Sequence, residues 1–384
     1  MDRRLRLGAA VTLALGLLAG CAAQPAAPTP QAPSERLAGV WSQLPQSPLP
    51  ARREPVGAWL DGRFVLVGGW TGPPCPPNAD CAPSEDPALR DGAAFDPSIT
   101  QWATIAEAPA PVSGSNAVVV DGTLYVLTGE PWLEDSPVRL LAYQPADDTW
   151  ETLPTPPGLY PHLTAAGTRL LAMSGSDEFG VTGDSVFDPH RGAWRPLPDD
   201  PLGPSFDRQG VWVDGSLILT ARDLVESPGS EKPAVARFAR LSDDFTEWTT
   251  LPDGEVIGGG AHEVAGLIVF PELGSADGGE VNNWGRHYPF GGILEPSDAS
   301  WRDLPTPPSG GLAGGILTVA DRTLVGGHLL DPRTLEWTVL PTVPGTERQG
   351  ATVVGGEDAI LIWGGATATD NLDDGYLLRV APAS

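Results

Sequence analysis

From Trp41 onward the apolar residues come in short runs broken by turn residues. The 3.6-residue period of an amphipathic helix appears nowhere after Cys21. The stretch from Arg208 to Leu251 shows the unit. RQGVWV is an apolar run, Asp214-Gly215 is a tight hairpin turn, and SLILTA is a second run. A polar stretch leads to AVARFARL, which alternates as a third strand, and SDDFTE turns the chain into WTTLP, the fourth. The same order recurs. Second strands are predicted at 64–69 (FVLVGG), 124–129 (LYVLTG), 170–175 (LLAMSG), 267–270 (LIVF), 323–327 (TLVGG) and 360–365 (ILIWGG). Third strands are predicted to run out at Pro97, Pro145, Pro189, Pro296 and Pro332.

Each unit closes on a tryptophan followed three residues later by Leu or Ile, and in all copies but WATIA a proline comes next. The copies start at Trp41, Trp102, Trp150, Trp194, Trp248, Trp301 and Trp337, with spacings of 61, 48, 44, 54, 53 and 36 residues. A large apolar ring returning at this interval marks a repeat architecture. Four short antiparallel strands per copy are one blade of a β-propeller. Burying a Trp removes enough apolar surface for about 4–6 kcal/mol as an upper figure, so packing between blades is the expected use of the seven rings; stacking on sugars is the other reading.

These residues resemble the kelch repeat, whose members carry Gly-Gly after the second strand, a Tyr-Asp-Pro-like end to the third and a Trp in the fourth. Gly68-Gly69, Gly326-Gly327 and Gly364-Gly365 keep the double glycine; Phe95, Tyr143 and Phe187 fill the aromatic position, and the other copies have Leu. The resemblance covers about residues 41–380 and implies an all-β, seven-bladed kelch-type propeller. After Trp337 the chain offers three more strands (GATVV, ILIWGG, GYLLRV) and no eighth tryptophan, while Trp41 has no strands before it. The last blade is therefore expected to be closed by the N-terminal strand around Trp41, which leaves no open sheet edge.

The ends change the picture of where the propeller sits. Residues 1–20 start with Arg3, Arg4 and Arg6, continue in an apolar run to Leu18, and lead into Leu18-Ala19-Gly20-Cys21, which is similar to a bacterial lipobox. The expectation is a lipoprotein signal peptide over 1–20, with Cys21 as the lipid-modified (palmitate-carrying) N-terminus; an ordinary secretory signal with a chance cysteine is the plainer reading. Acyl chains would anchor the protein at about 0.8 kcal/mol per buried methylene. Residues 21–40, rich in Ala and Pro, read as a tether, and 41–384 as the propeller. The localisation expected is extracytoplasmic, lipid-anchored to the cell membrane. Lys and Arg number 23 against 49 Asp and Glu, a net charge of −26. Such a surface repels nucleic acid, favours solubility and names no partner; a monomer is expected. Outside the cytoplasm Cys75 and Cys81 are expected to form a disulfide, worth roughly 2 kcal/mol of chain entropy. A metal site there is the weaker alternative, because no His is near.

Turns between first and second strands are tight (Asp61-Gly62, Asp121-Gly122, Asp214-Gly215, Ala265-Gly266), and third-to-fourth turns are short and uniform. Second-to-third connections vary widely and share one face with the fourth-to-first connections. Variable loops on a rigid scaffold are where binding residues concentrate. The ligand-binding candidates are accordingly Arg208, Gln209, Arg348, Gln349 and Tyr160 just before innermost strands, Trp284, Arg286 and His287 in the fifth-blade loop, and Trp70 and Trp132 on other loops. The two arginines are expected either to clasp a ligand carboxylate at the channel mouth or to bond neighbouring blades' backbone or a carboxylate of the protein. No HExxH, GxSxG or P-loop occurs, so no catalytic residue, metal or cofactor is assigned. A binding or assembly module for a protein or carbohydrate partner is the expected function. The alternative is a small sugar-active enzyme similar to a kelch-type sialic-acid mutarotase, with Arg208 and Arg348 holding a carboxylate and Glu263 or His287 as base.

Overall fold

The structure, a computed structural model, describes residues 35–75, 88–114, 116–129, 137–158, 161–178, 180–224, 236–254, 260–271, 291–312, 317–345 and 347–381. The described residues form strands and turns, and no helix among them is long and apolar enough to cross a membrane. Two strands come first, β1 (Glu35–Leu37) and β2 (Ser42–Gln43). Blade 1 is β3–β6 (Val56–Leu60, Arg63–Val67, Gly92–Asp96, Gln101–Ile105) and blade 2 is β7–β10 (Ala117–Val120, Thr123–Thr128, Arg139–Gln144, Thr149–Leu153). Blade 3 is β11–β14 (Pro161–Ala166, Arg169–Ser174, Ser185–Asp188, Ala193–Pro196) and blade 4 is β15–β18 (Ser205–Val213, Ser216–Asp223, Arg237–Leu241, Trp248–Thr250). Blade 5 is β19–β22 (His262–Val264, Leu267–Phe270, Gly292–Glu295, Ser300–Asp303) and blade 6 is β23–β26 (Thr318–Val319, Arg322–Val325, His328–Leu330, Trp337–Val339). Blade 7 is β27–β29 (Thr352–Gly355, Ala359–Trp363, Gly375–Arg379), completed on its outer edge by β2.

The closure read from the sequence is therefore present: Ser42 pairs with Leu377 and Gln43 with Tyr376, antiparallel. One element goes beyond it. β1 pairs in parallel with β26, Glu35 opposite Trp337, so the sheet begins before Trp41, within the stretch read as tether.

The core is divided among the seams. Seven apolar clusters lie among the described residues, each joining two neighbouring blades; the cluster of Phe64, Phe95, Leu361 and Trp363, for example, joins blade 7 to blade 1. A middle strand contributes to the seam on either side of it. That is why second strands read as unbroken apolar runs such as LIVF, buried at every position, rather than as alternating ones.

The repeated tryptophan has a defined job. It lies opposite the third-strand aromatic, Phe95 to Trp102, Tyr143 to Trp150 and Phe187 to Trp194, with ring centroids 5.0, 5.0 and 5.3 Å apart. Its indole N–H donates to the backbone carbonyl four residues after the preceding tryptophan of the series. Trp102 bonds Pro45, Trp150 bonds Ala106, Trp194 bonds Pro154, Trp248 bonds Pro198, and Trp41 bonds Pro341, at 2.7–3.0 Å. The motifs at Trp41, Trp102, Trp150, Trp194 and Trp337 thus supply an acceptor to the next blade, and Trp41 carries the series across the join of the chain ends. At Trp337 the indole N–H is buried without an acceptor among the described residues.

The double glycines are explained by the same seams. Gly68 and Gly69 have φ of 71° and 89°, and a Cβ at Gly68 would fall 2.1 Å from the Val112 carbonyl oxygen. Only a residue without a side chain lets the chain entering blade 2 pass so closely.

Candidate functional site

The first strands surround a channel, and an open cavity of about 1770 Å³ runs along it. At its loop-side mouth lie the residues that open each first strand. They include Asn116 in blade 2, His162 in blade 3, and Asp207, Arg208 and Gln209 in blade 4; His262 and, towards the hairpin end of its strand, Glu263 of blade 5 also line the cavity.

Arg208 is buried inside this rim and points away from the ligand space. Its Nη2 donates to Asp184 and Asp200, both at 3.0 Å, its Nη1 to Ser205 Oγ at 2.8 Å, and its Nε to the Ser174 carbonyl at 3.2 Å. Asp177 stands 3.9 Å from the guanidinium and accepts the Ser205 N–H. Burial pushes Asp184 above the usual carboxylate range, against the attraction of Arg208. Arg348 is likewise held by its own blade: its Nη2 bonds both Asp374 oxygens at 3.1 and 3.3 Å, and its Nη1 bonds the Gly364 and Asp374 carbonyls. Both arginines are held by carboxylates of the scaffold. Arg208 bonds aspartates of blade 3 and of the connection into blade 4, Arg348 those of its own blade 7, and both guanidinium groups are neutralised internally.

A third member of this set was not singled out from the sequence. Arg52, fully buried, grips Asp91 with two 2.7 Å bonds and also donates to the Gly68 and Pro50 carbonyls. Those hydrogen bonds hold Asp91 below the usual carboxylate range. In all three cases the aspartate immediately precedes a third strand (Asp91-Gly92, Asp184-Ser185, Asp374-Gly375). That recurrence is the signal in the sequence that could have identified the arginines as braces.

The other candidates divide by position. The Gln209 amide donates to the Ala261 carbonyl of blade 5, and Gln349 exchanges backbone bonds with Ala366 at 2.8 Å while its side chain stays exposed. Trp70 is half-buried on the loop side, its backbone paired with Arg53. Arg53 and Asn371 both donate to the Gly72 carbonyl, tying the loops of blades 1 and 7 together. Cys75 is disulfide-bonded. Tyr160, Trp284, Arg286, His287, Trp132, Cys21 and Cys81 lie outside the described residues.

His162 is the rim residue that sequence reading passed over. Asn116 of blade 2 clamps the backbone on either side of it, donating to the Pro161 carbonyl at 2.7 Å and accepting the Leu163 N–H at 3.0 Å. Its ring lies against Gly175, where a Cβ would stand 2.5 Å from Nε2. The ring is reached by solvent along the channel, yet the enclosing walls push its pKa below the usual imidazole value. Burial likewise lowers His262, which bonds Thr323 of blade 6 and the Gly260 carbonyl. Asp207 carries a positive φ of 49° at a bulge in β15 and pairs with the buried Arg222. Glu263 caps its own hairpin through the Gly266 N–H at 2.8 Å.

No family model matches the chain. Kelch-like protein terF of Aspergillus terreus is 25% identical over 292 residues, which cover 70% of this chain and 59% of that protein. The chain thus spans well under two thirds of that relative's length. The solved structure of YjhT superposes with a TM-score of 0.43 at 15% identity, covering 87% of this chain and 96% of that one. Its seven blades make the chain an all-β, seven-bladed β-propeller, and the curated relative it is similar to is described as kelch-like.

Proposed function

We propose that the protein is a membrane-anchored, extracytoplasmic binding module that presents the loop side of its propeller, around the channel mouth, to a carbohydrate or protein partner. One observation carries this reading. The charges expected to do chemistry at the mouth, Arg208 and Arg348, brace the scaffold, while an open cavity of about 1770 Å³ keeps a rim of positioned hydrogen-bonding groups. A rigid rim of this kind recognises a partner by shape and hydrogen bonds. A mutarotase-like mechanism with these two arginines as carboxylate clasp gains no support, since a substrate would first have to displace Asp184, Asp200 or Asp374.

The anchor rests on residues 1–21 and is tested separately. Expressed in bacteria, the protein is expected in the membrane fraction and the Cys21→Ser variant in the soluble one; equal membrane retention of both overturns the anchor. For binding, the released protein is probed against arrays of glycans and envelope proteins. Saturable binding that weakens at least tenfold in Gln349→Ala with Trp70→Ala supports the loop side. Binding unchanged by that pair of substitutions but lost on altering the short-turn face overturns it.

A further inference from the structure

We propose that the channel wall formed by β11 and β15, the first strands of blades 3 and 4, is a binding site for a neutral oligosaccharide of about three rings. This rests on the binding-module reading and gives it a ligand class.

The wall combines an aromatic surface with hydrogen-bonding groups that are fixed in place. Trp212 lines the cavity with its ring half-exposed. The ring is held rigidly: Phe245 stacks on it at 6.0 Å and 4° between planes, and its edge rests on the turn glycine Gly167, where a Cβ would be 3.3 Å from the ring. At the loop end of the wall stands His162. Neither of its ring nitrogens bonds a protein group among the described residues, although its backbone is clamped by Asn116 and its ring seated on Gly175. The lowered imidazole pKa keeps the ring neutral at pH 7, with one donor and one acceptor for ligand hydroxyls. Beside His162 lie Asp207, exposed at the cavity, and Gln209, whose amide N–H₂ holds Ala261 and whose Oε1 bonds no protein group among the described residues.

The spacing sets the ligand's length. Gln209 to Trp212 is three residues of regular strand, about 10 Å at 3.3 Å per residue, and Asp207 at the bulge beyond it lengthens the wall to about three pyranose rings end to end. A sugar offers an apolar C–H face to an indole and hydroxyls to planar polar groups, and this wall supplies both. Charge decides between neutral and acidic chains. Glu263 lines the cavity, Asp207 is paired with Arg222 and Arg208 is neutralised by Asp184 and Asp200, so with a net −26 on the protein an acidic sugar meets repulsion on this wall.

The test is titration of the purified protein with maltotriose, cellotriose, tri-N-acetylchitotriose and, as the acidic counterpart, trigalacturonate, following tryptophan fluorescence and the His162 ring resonances. At least one neutral trisaccharide is expected to shift the His162 signal and to bind at least ten times more tightly than trigalacturonate. Its affinity is expected to fall at least tenfold in His162→Ala and in Trp212→Leu, and to stay within twofold in Arg191→Ala on the short-turn side. The His162 shift in the unmodified protein decides the matter if Trp212→Leu does not fold. No binding by any neutral trisaccharide, tighter binding of trigalacturonate, or binding indifferent to both wall variants overturns the site. A protein partner captured at the loop side while every trisaccharide fails would sink this inference and leave the binding-module reading standing.

Discussion

At Arg208 one guanidinium faces Asp177, Asp184 and Asp200 in a place nearly closed to water, with side-chain exposures of 3, 3, 5 and 12% in that order. Three carboxylates around one cation leave surplus negative charge, and burial raises Asp184 above its ordinary value. A carboxyl whose folded pKa is raised favours the fold most below the unfolded carboxylate value, and that contribution is lost as pH rises through the folded value. The brace is therefore under most electrostatic tension near neutrality. Arg208→Met would leave the carboxylates facing one another, and is expected to cost about 3–5 kcal/mol in urea melts at pH 7, with part recovered at pH 5. Asp184→Asn keeps an acceptor for the Ser174 N–H and removes one surplus charge but turns its N–H₂ towards the Arg208 donor, so its cost is expected to be about 1–2 kcal/mol, below that of Arg208→Met. Equal losses for the two variants would show that Arg208 is not the brace described.

The element that organises the fold is the fourth strand with its Trp-x-x-Leu-Pro sequence. The spacing of the rings was legible from the chain because each ring must meet the same third-strand neighbour and the same seam. The acceptor was not, because a backbone carbonyl leaves no residue signature: Ala106 serves Trp150 as well as Pro154 serves Trp194. This predicts an asymmetry between copies. Trp150→Phe breaks a 2.9 Å bond and orphans the Ala106 carbonyl, whereas Trp337→Phe removes a buried N–H that has no acceptor among the described residues. Trp150→Phe is expected to destabilise by about 1 kcal/mol more than Trp337→Phe in matched denaturant titrations; the reverse order would contradict the indole relay. The candidate site was less legible than the fold. Arginine before a first strand reads the same whether it faces a ligand or an aspartate, and only the distant Asp184 and Asp374 decide it. His162 was passed over because its position depends on Asn116, Gly175 and the turn of three different strands, none adjacent to it in sequence.

For the whole molecule, closure converts seven separate seams into one ring, and the segment before blade 1 holds that ring shut. Residues 41–46 give β29 its outer partner, seat Trp41 and Leu44 in the seams on either side of blade 7, and offer the Pro45 carbonyl to Trp102 of blade 1. Trp41 in turn bonds Pro341 of blade 6, and β1 runs beside β26. Losing the segment exposes the edge of β29 and removes two buried apolar side chains, roughly 6–8 kcal/mol of burial as an upper figure. In a closed ring that loss is not confined to one blade, because blade 7 packs through a seam on either side and loses a side chain from both. A chain lacking residues 35–46 is therefore expected to melt far below the intact protein in one broad or aggregating transition, since an unpaired strand edge invites association. The missing strand binds only the folded ring, so a synthetic peptide of residues 35–46 is expected to raise the melting temperature of the truncated protein in proportion to the logarithm of its concentration. A truncated protein that melts like the intact one, or that ignores the peptide, would mean that the ring is held by blades 1 to 6 alone and that Trp41 is no clasp.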